Sequence, residues 1–205
     1  IQGSLNGRRD GRYGRFPYVI CSSKKRLLKC LSLRESKQDS KTTAIWQYWV
    51  SDMPEVPDRQ LTIYFGSQTG NAEELASKTV KLAKKFNLQA KAIDIGDIKP
   101  NDFSNTKRVF IITSTWGEGE MPDNAESIWA STCEQNPPLN AVSYSVCAIG
   151  DTSYDEFCKA GLDWDAKFNQ LGASRVHDIQ LCDVDYEPEW EKWANSALQA
   201  MSDLD

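Results

Sequence analysis

From residue 61 onward, five short apolar runs alternate with amphipathic ones, and that alternation limits the possible folds more than any other feature of the chain. Leu61–Phe65, Ala90–Ile95, Arg108–Ser114, Val142–Ile149 and Arg175–Cys182 read as strands. Helices are predicted over about Ala72–Phe86, Asp123–Glu134, Glu156–Leu171 and Pro188–Met201. In the first of these, Ala72, Leu75, Ala76, Thr79, Val80, Ala83 and Phe86 recur at helical spacing. Asn71 is its predicted N-cap. Glu73 and Glu74 fall in the first turn and Lys84 and Lys85 in the last, all matching the helix macrodipole. Strands separated by helices cannot pair as hairpins, so the sheet is parallel and covered on both faces. Right-handed crossovers leave few topologies. Short buried strands suit an α/β, doubly wound, five-stranded parallel sheet of order 2-1-3-4-5.

Such a sheet places its ligand outside the carboxyl ends of the strands, where the order switches between strands one and three. The segments that follow strands one, three and four are therefore the candidate site. After strand one come Ser67, Gln68, Thr69, Gly70, Asn71 and Ala72, a hydroxyl-rich turn at a helix N-terminus. Backbone N–H groups and the macrodipole favour an anion there. The turn contains no Lys or Arg, and the GxxxxGK[ST] pattern of nucleoside triphosphate sites is missing from the chain. After strand three come Ser114, Thr115, Trp116, Gly117, Glu118 and Gly119. At the end of strand four come Ile149, Gly150, Asp151, Thr152, Ser153, Tyr154, Asp155, Glu156, Phe157 and Cys158. Two aromatic walls beside a phosphate turn describe a flat, phosphorylated heteroaromatic ligand, which is the shape of FMN.

Charge divides the 205 residues unevenly. Residues 1–60 carry 12 Lys and Arg against 6 Asp and Glu, a net of +6. Residues 61–205 carry 12 against 23, a net of −11. With the change of texture at Pro54-Glu55-Val56-Pro57, this sets a domain at 59–205 behind a basic extension at 1–58. An acidic domain repels nucleic acid and attracts basic partner surfaces. The six cysteines form no CxxC and His177 is the only histidine, so no zinc or Fe–S site is expected. Cys147 and Cys182 fall in strand-like runs and read as buried thiols, which suits a reducing, cytoplasmic setting. No apolar run is long enough to span a membrane.

The chain begins with Ile, and a fragment or processed product is expected. In the extension, Phe16–Cys21 reads as a short strand, Lys24–Leu31 as a basic helical turn or two, and Ile45–Val50 as an aromatic segment that packs on something. It is either a flexible basic tail or remnant of a preceding domain, or else a membrane-surface or partner-binding segment.

The three loops together, SQTGNA, STWGEGEMPDNA and IGDTSYDEFCKAG, resemble the FMN-binding, flavodoxin-like domain of the diflavin reductase family. The similarity is greatest to the sulfite reductase flavoprotein branch, with cytochrome P450 reductase more distant. It covers about residues 60–201 and leaves 1–59 outside. By this resemblance Ser67–Ala72 cradle the FMN phosphate. Ser114–Gly119 run along one face and edge of the isoalloxazine. Ile149–Cys158 lie on the other face, with Tyr154 as the stacking ring. Asp183, after strand five, matches an acidic position that some relatives place near the flavin. Trp116 stands where relatives often carry Tyr or Gln, and Asn71 where many carry Thr. With no insertion of about 20 residues in strand five, the short-chain form is expected. The FAD- and NADPH-binding modules that follow in diflavin reductases are not in this sequence.

The resemblance implies an electron carrier with no acid, base or nucleophile of its own, serving an NADPH-dependent diflavin oxidoreductase. It would relay single electrons from an FAD/NADPH module, in cis or trans, to a basic-surfaced haem or Fe–S acceptor. Around the site, Glu118, Glu120, Asp151, Asp155 and Asp183 would disfavour the anionic reduced flavin and make it a stronger reductant. Glu118 and Glu120 read as docking contacts for a basic acceptor, with solvated loop charges as the alternative. Gly117 and Gly119 would let the backbone beside flavin N5 reorient, favouring one-electron steps. Two other readings stand beside this one: a free-standing flavodoxin-like carrier, and an interaction module that has lost its cofactor.

Overall fold

The computed structural model describes residues 58–204. The readings made for Phe16–Cys21, Lys24–Leu31 and Ile45–Val50, and for the extension as a whole, lie outside the described residues.

The strands are β1 (Gln60–Gly66), β2 (Gln89–Asp94), β3 (Arg108–Ser114), β4 (Ser143–Ile149), β5 (Ser174–Arg175) and β6 (Gln180–Cys182). The helices are α1 (Asn71–Ala83), α2 (Pro100–Ser104), α3 (Asp123–Gln135), α4 (Lys159–Gln170) and α5 (Glu187–Ser202). All pairings are parallel and the order is β2-β1-β3-β4-β5, with β6 also on β4.

Every residue of β3 is buried, as a central strand covered on both faces requires. Its side chains divide by the period of two. Phe110 and Ile112 join Leu61, Ile63, Cys147 and Ile149 beneath α1 and α5. Val109 and Ile111 join Tyr64, Tyr144 and Val146 beneath α3 and α4. The first face is closed by Trp190 and Trp193, the second by Phe103, Trp164 and Phe168. Phe103 meets Tyr64, Trp164 and Phe168 edge-on, with ring centroids 5.1–5.8 Å apart. Helix α4 lies so close to β4 that a Cβ on Gly161 would stand 2.2 Å from the Cβ of Ala148.

Three expectations change. Strand five is two pieces, because after Val176, whose amide still donates to the Tyr144 carbonyl, residues 177–179 leave the ladder. There Ser145 Oγ donates to the His177 carbonyl while accepting from Trp193 Nε1, so side chains replace the missing strand bonds. The helix expected from Glu156 begins at Lys159, after Cys158 in the left-handed region at φ 56°. And α2, a single turn opened by Pro100 at its N1 position, falls in a stretch that the sequence left without an element. Among the described residues no helix is long and apolar enough to cross a membrane, and no cluster of His, Cys, Asp and Glu could hold a metal ion.

Candidate functional site

The strand order reverses between β1 and β3, and there the ends of β1, β3 and β4 come out side by side. Gly66 pairs with Thr113 and Ser114 with Ile149, so the three following loops share one edge. They enclose a cleft of about 530 Å³, within the roughly 300–1,000 Å³ typical of cofactor sites.

The turn after β1 contributes Gln68, Thr69 and Asn71 to the cleft wall. Gly70, not Asn71, is the N-cap of α1, with φ 90° and no side-chain cap bond. The backbone must enter the left-handed region to reverse into the helix, and glycine does so without penalty. Capping passes instead to Ser67, whose Oγ accepts from the amides of Gly70 at 3.0 Å and Ala72 at 3.2 Å. Two accepted bonds leave the Ser67 hydroxyl proton free to donate outward. The Thr69 and Asn71 amides donate to no group among the described residues. Gln68 lines the cleft, yet its carboxamide is turned to Asp123: Nε2 donates to Oδ2 at 2.9 Å, and Oε1 accepts from the Asp123 amide at 3.0 Å.

The loop after β3 brings Ser114, Thr115, Trp116 and Gly117 to the cleft. It is a small hairpin in which Trp116 N donates to the Glu120 carbonyl and Glu120 N to the Trp116 carbonyl. Gly117 (φ 53°) and Gly119 (φ 109°) make that reversal possible. A Cβ on Gly119 would come 2.9 Å from Glu156 Cβ, so this loop presses on the one after β4. Glu118 and Gly119 do not line the cleft.

The loop after β4 supplies Ile149, Gly150, Asp151, Tyr154, Glu156, Phe157 and Cys158. Asp151 Oδ1 accepts from both the amide and the hydroxyl of Ser153, a tight polar turn that carries Tyr154. Thr115 ties the two aromatic loops: its amide donates to Ile149 and its Oγ1 accepts from Ala160 N at the start of α4. Cys158 is fully buried beneath the loop, and burial pushes its thiol up to about 12. It is a packed, neutral thiol at pH 7.

Ser67, Ala72, Thr152, Ser153, Asp155 and Asp183 stand behind or beside the wall rather than in it. Asp183 is the instructive case. Its carboxylate accepts from Thr152 Oγ1 at 2.6 Å, Thr152 N at 3.1 Å and Val184 N at 2.8 Å. The Thr152 bonds, chiefly, hold it below the usual carboxylate range. Trp116 and Tyr154 both line the cleft and remain 49% and 54% exposed, which is costly for large rings unless something flat covers them. No Lys or Arg lines the cleft. The four tryptophans on helices, Trp129, Trp164, Trp190 and Trp193, lie in or against the two cores, away from it.

Sequence reasoning passed over Asp94, Asp123 and Asn124 as site residues. Asn124 Oδ1 accepts from Ser67 N at 3.0 Å, and Asn124 Nδ2 donates to Asp94 Oδ1 at 2.9 Å. A polar pair after Pro122 at the start of a predicted helix was the available signal.

A profile described as flavodoxin matches residues 63–195. The sulfite reductase [NADPH] flavoprotein alpha-component of Thiocapsa roseopersicina is 37% identical over 155 residues, 74% of this chain and 30% of that protein. The same component of Buchnera aphidicola is 38% identical over 146 residues, 71% of this chain and 24% of that protein. The chain thus spans less than a third of these relatives. Among solved structures, a mutant flavodoxin from Pseudomonas aeruginosa superimposes with a TM-score of 0.62 at 27% identity, over 69% of this chain and 98% of that one. A Streptococcus pneumoniae flavodoxin gives 0.59 at 29% identity, over 70% and 94%.

Proposed function

Because the chain belongs to the flavodoxin family, we propose that residues 59–205 form an FMN-binding electron-transfer domain. One observation carries the reading: two half-exposed aromatic rings share a cleft with a cation-free turn in which the Thr69 and Asn71 amides and the Thr69 hydroxyl make no bond among the described residues. The donor set suits FMN. The Thr69 hydroxyl and the Thr69 and Asn71 amides, with the Ser67 hydroxyl beside them, would hold a 5′-phosphate at the positive end of α1. An isoalloxazine suits the space between Trp116 and Tyr154.

FMN, when bound, supplies one- and two-electron redox chemistry between donor and acceptor. The chain's own residues bind, orient and tune. Gly117 and Gly119 leave the hairpin backbone free to turn a peptide group toward the ring. Asp151 and Glu156 in the cleft wall, with Glu118 and Glu120 in the adjoining hairpin, would place negative charge near it and favour its less negative oxidation states. Burial keeps Cys158 neutral, and this reading asks no acid–base step of the chain.

Electrons are proposed to arrive from an FAD/NADPH module and to leave for a basic-surfaced haem or Fe–S acceptor, as in a sulfite reductase. The relatives named as sulfite reductase flavoprotein components, matched over a quarter to a third of their length, support this. A second reading, a free-standing carrier, has its own support: flavodoxins of known structure are covered over 94–98% of their length.

The test is reconstitution of the full chain with FMN, read as absorbance at about 450 nm after gel filtration. One bound flavin per chain is expected. A colourless chain would overturn the proposal. Addition of a sulfite reductase FAD/NADPH module with NADPH should then bleach the flavin, whereas NADPH alone should not. Reduction only by an unrelated flavodoxin reductase would favour the free-standing carrier.

A further inference from the structure

The phosphate turn is shaped from both sides. From within, Ser67 Oγ gathers the Gly70 and Ala72 amides. From without, the first residues of α3 clasp its entrance: Asp123 holds the Gln68 carboxamide at both ends, and Asn124 Oδ1 takes the Ser67 amide. Asn124 is itself held. Its Nδ2 donates to Asp94 Oδ1, which also accepts the Gly96 amide at 2.8 Å. Because one end of the Asn124 carboxamide faces a carboxylate and the other an amide, only one orientation satisfies both. Packing closes the last side, since a Cβ on Gly96 would stand 2.6 Å from the Asn124 carbonyl. Three elements, the end of β2, the turn after β1 and the start of α3, thus meet at one side chain.

We infer that Asn124, fixed by Asp94, is a positioning residue for the phosphate end of the cleft, and that it sets preference for a phosphorylated flavin over riboflavin. The inference rests on the FMN reading. Its physical content is simple. The Ser67 amide is consumed by Asn124 and is not offered to the ligand. Binding that amide fixes the Gly66–Ser67 peptide at the start of the turn that carries Thr69 and Asn71, whose amides are the free donors. Without Asn124 the turn loses its outer restraint, and an anion must order the donors as it binds. A ligand with no phosphate asks nothing of those donors.

The experiment measures dissociation constants of FMN and of riboflavin for the full chain by quenching of flavin fluorescence. Asn124→Ala is expected to weaken FMN about tenfold, the equivalent of one hydrogen bond's ordering, while riboflavin affinity stays within about twofold. Asp94→Ala, which leaves Asn124 present but unheld, should give a smaller loss of the same selective kind and serves if the first variant does not fold. Equal weakening of both flavins would overturn the inference in favour of a general structural role, and so would unchanged FMN affinity. Failure of the unaltered chain to bind FMN would instead sink the proposed function.

Discussion

The two ends of the cleft are built on opposite terms. The phosphate turn is neutral, short and braced by the Asp123 and Asn124 side chains at the start of α3. The aromatic end is acidic, carries the exposed rings Trp116 and Tyr154, and bends at two glycines with positive φ. An anchor benefits from donors fixed before the ligand arrives, because ordering them later subtracts from affinity. A site that passes electrons needs its ring edge near the surface and a backbone that can respond to a change of charge. The contrast therefore assigns affinity to one end and potential to the other.

The sharpest way to break that assignment is at the anchor. Ser67→Ala with Thr69→Ala removes two donors to a charged group, each worth about 1.5–3 kcal/mol. FMN affinity should fall roughly 100-fold or more while far-UV circular dichroism stays native. An unchanged dissociation constant would show that the phosphate lies elsewhere. Next in size is Tyr154→Ala, which loses a ring contact of about 0.5–1.5 kcal/mol beyond its buried area. Affinity for FMN and for riboflavin should drop together, by up to about tenfold. A loss confined to FMN would contradict the division of labour.

Asp183 gives a smaller and more discriminating test, because it braces the aromatic loop through Thr152 instead of facing the cleft. Asp183→Asn keeps an acceptor and should leave flavin binding near normal, whereas Asp183→Ala should weaken it several-fold. Equal effects would mean that its charge is what counts. The pH dependence follows from sign. Its folded value lies below the ordinary 3.8, so its contribution is complete above that value and fades as pH falls through the lower, folded one. Flavin affinity should show no step from this group between pH 5 and 8. The smallest effect is expected at the rim. Glu118→Gln with Glu120→Gln should raise the flavin's potential by on the order of 10 mV at low salt, fading at high salt.

Long, periodic elements were plain in the sequence. β3 runs over the expected Arg108–Ser114, and α3 ends one residue beyond expectation at Gln135. What failed did so for local reasons. Val176 and Ile179 have the composition of a strand, yet Ser145 takes the His177 carbonyl and draws the chain out of the ladder. Asn71 is a good capping residue by type, but the turn needs positive φ one position earlier, and only Gly70 supplies it cheaply. In the site, the three loops could be read because each follows its strand directly. Their braces could not. Ser67 and Asn124 are 57 residues apart, and Asn124 and Asp94 are 30 apart. Such pairings exist only once the sheet has set β1, β2 and α3 side by side. Asp183 was legible by position, but not its bonds to Thr152 and Val184, since sequence shows a charge and not the direction in which it points.

The break between β5 and β6 has a consequence for how this architecture can grow. At residues 177–179 the chain is outside the ladder and on the sheet's edge, opposite the middle of β4 and short of its loop-bearing end. Extra polypeptide entering at exposed Asp178 would interrupt no ladder bond and displace no cleft residue. The entropic cost of a longer excursion rises only slowly with length. The split strand is thus a seam, a point where the domain could acquire a new surface for another protein while its redox chemistry stays untouched.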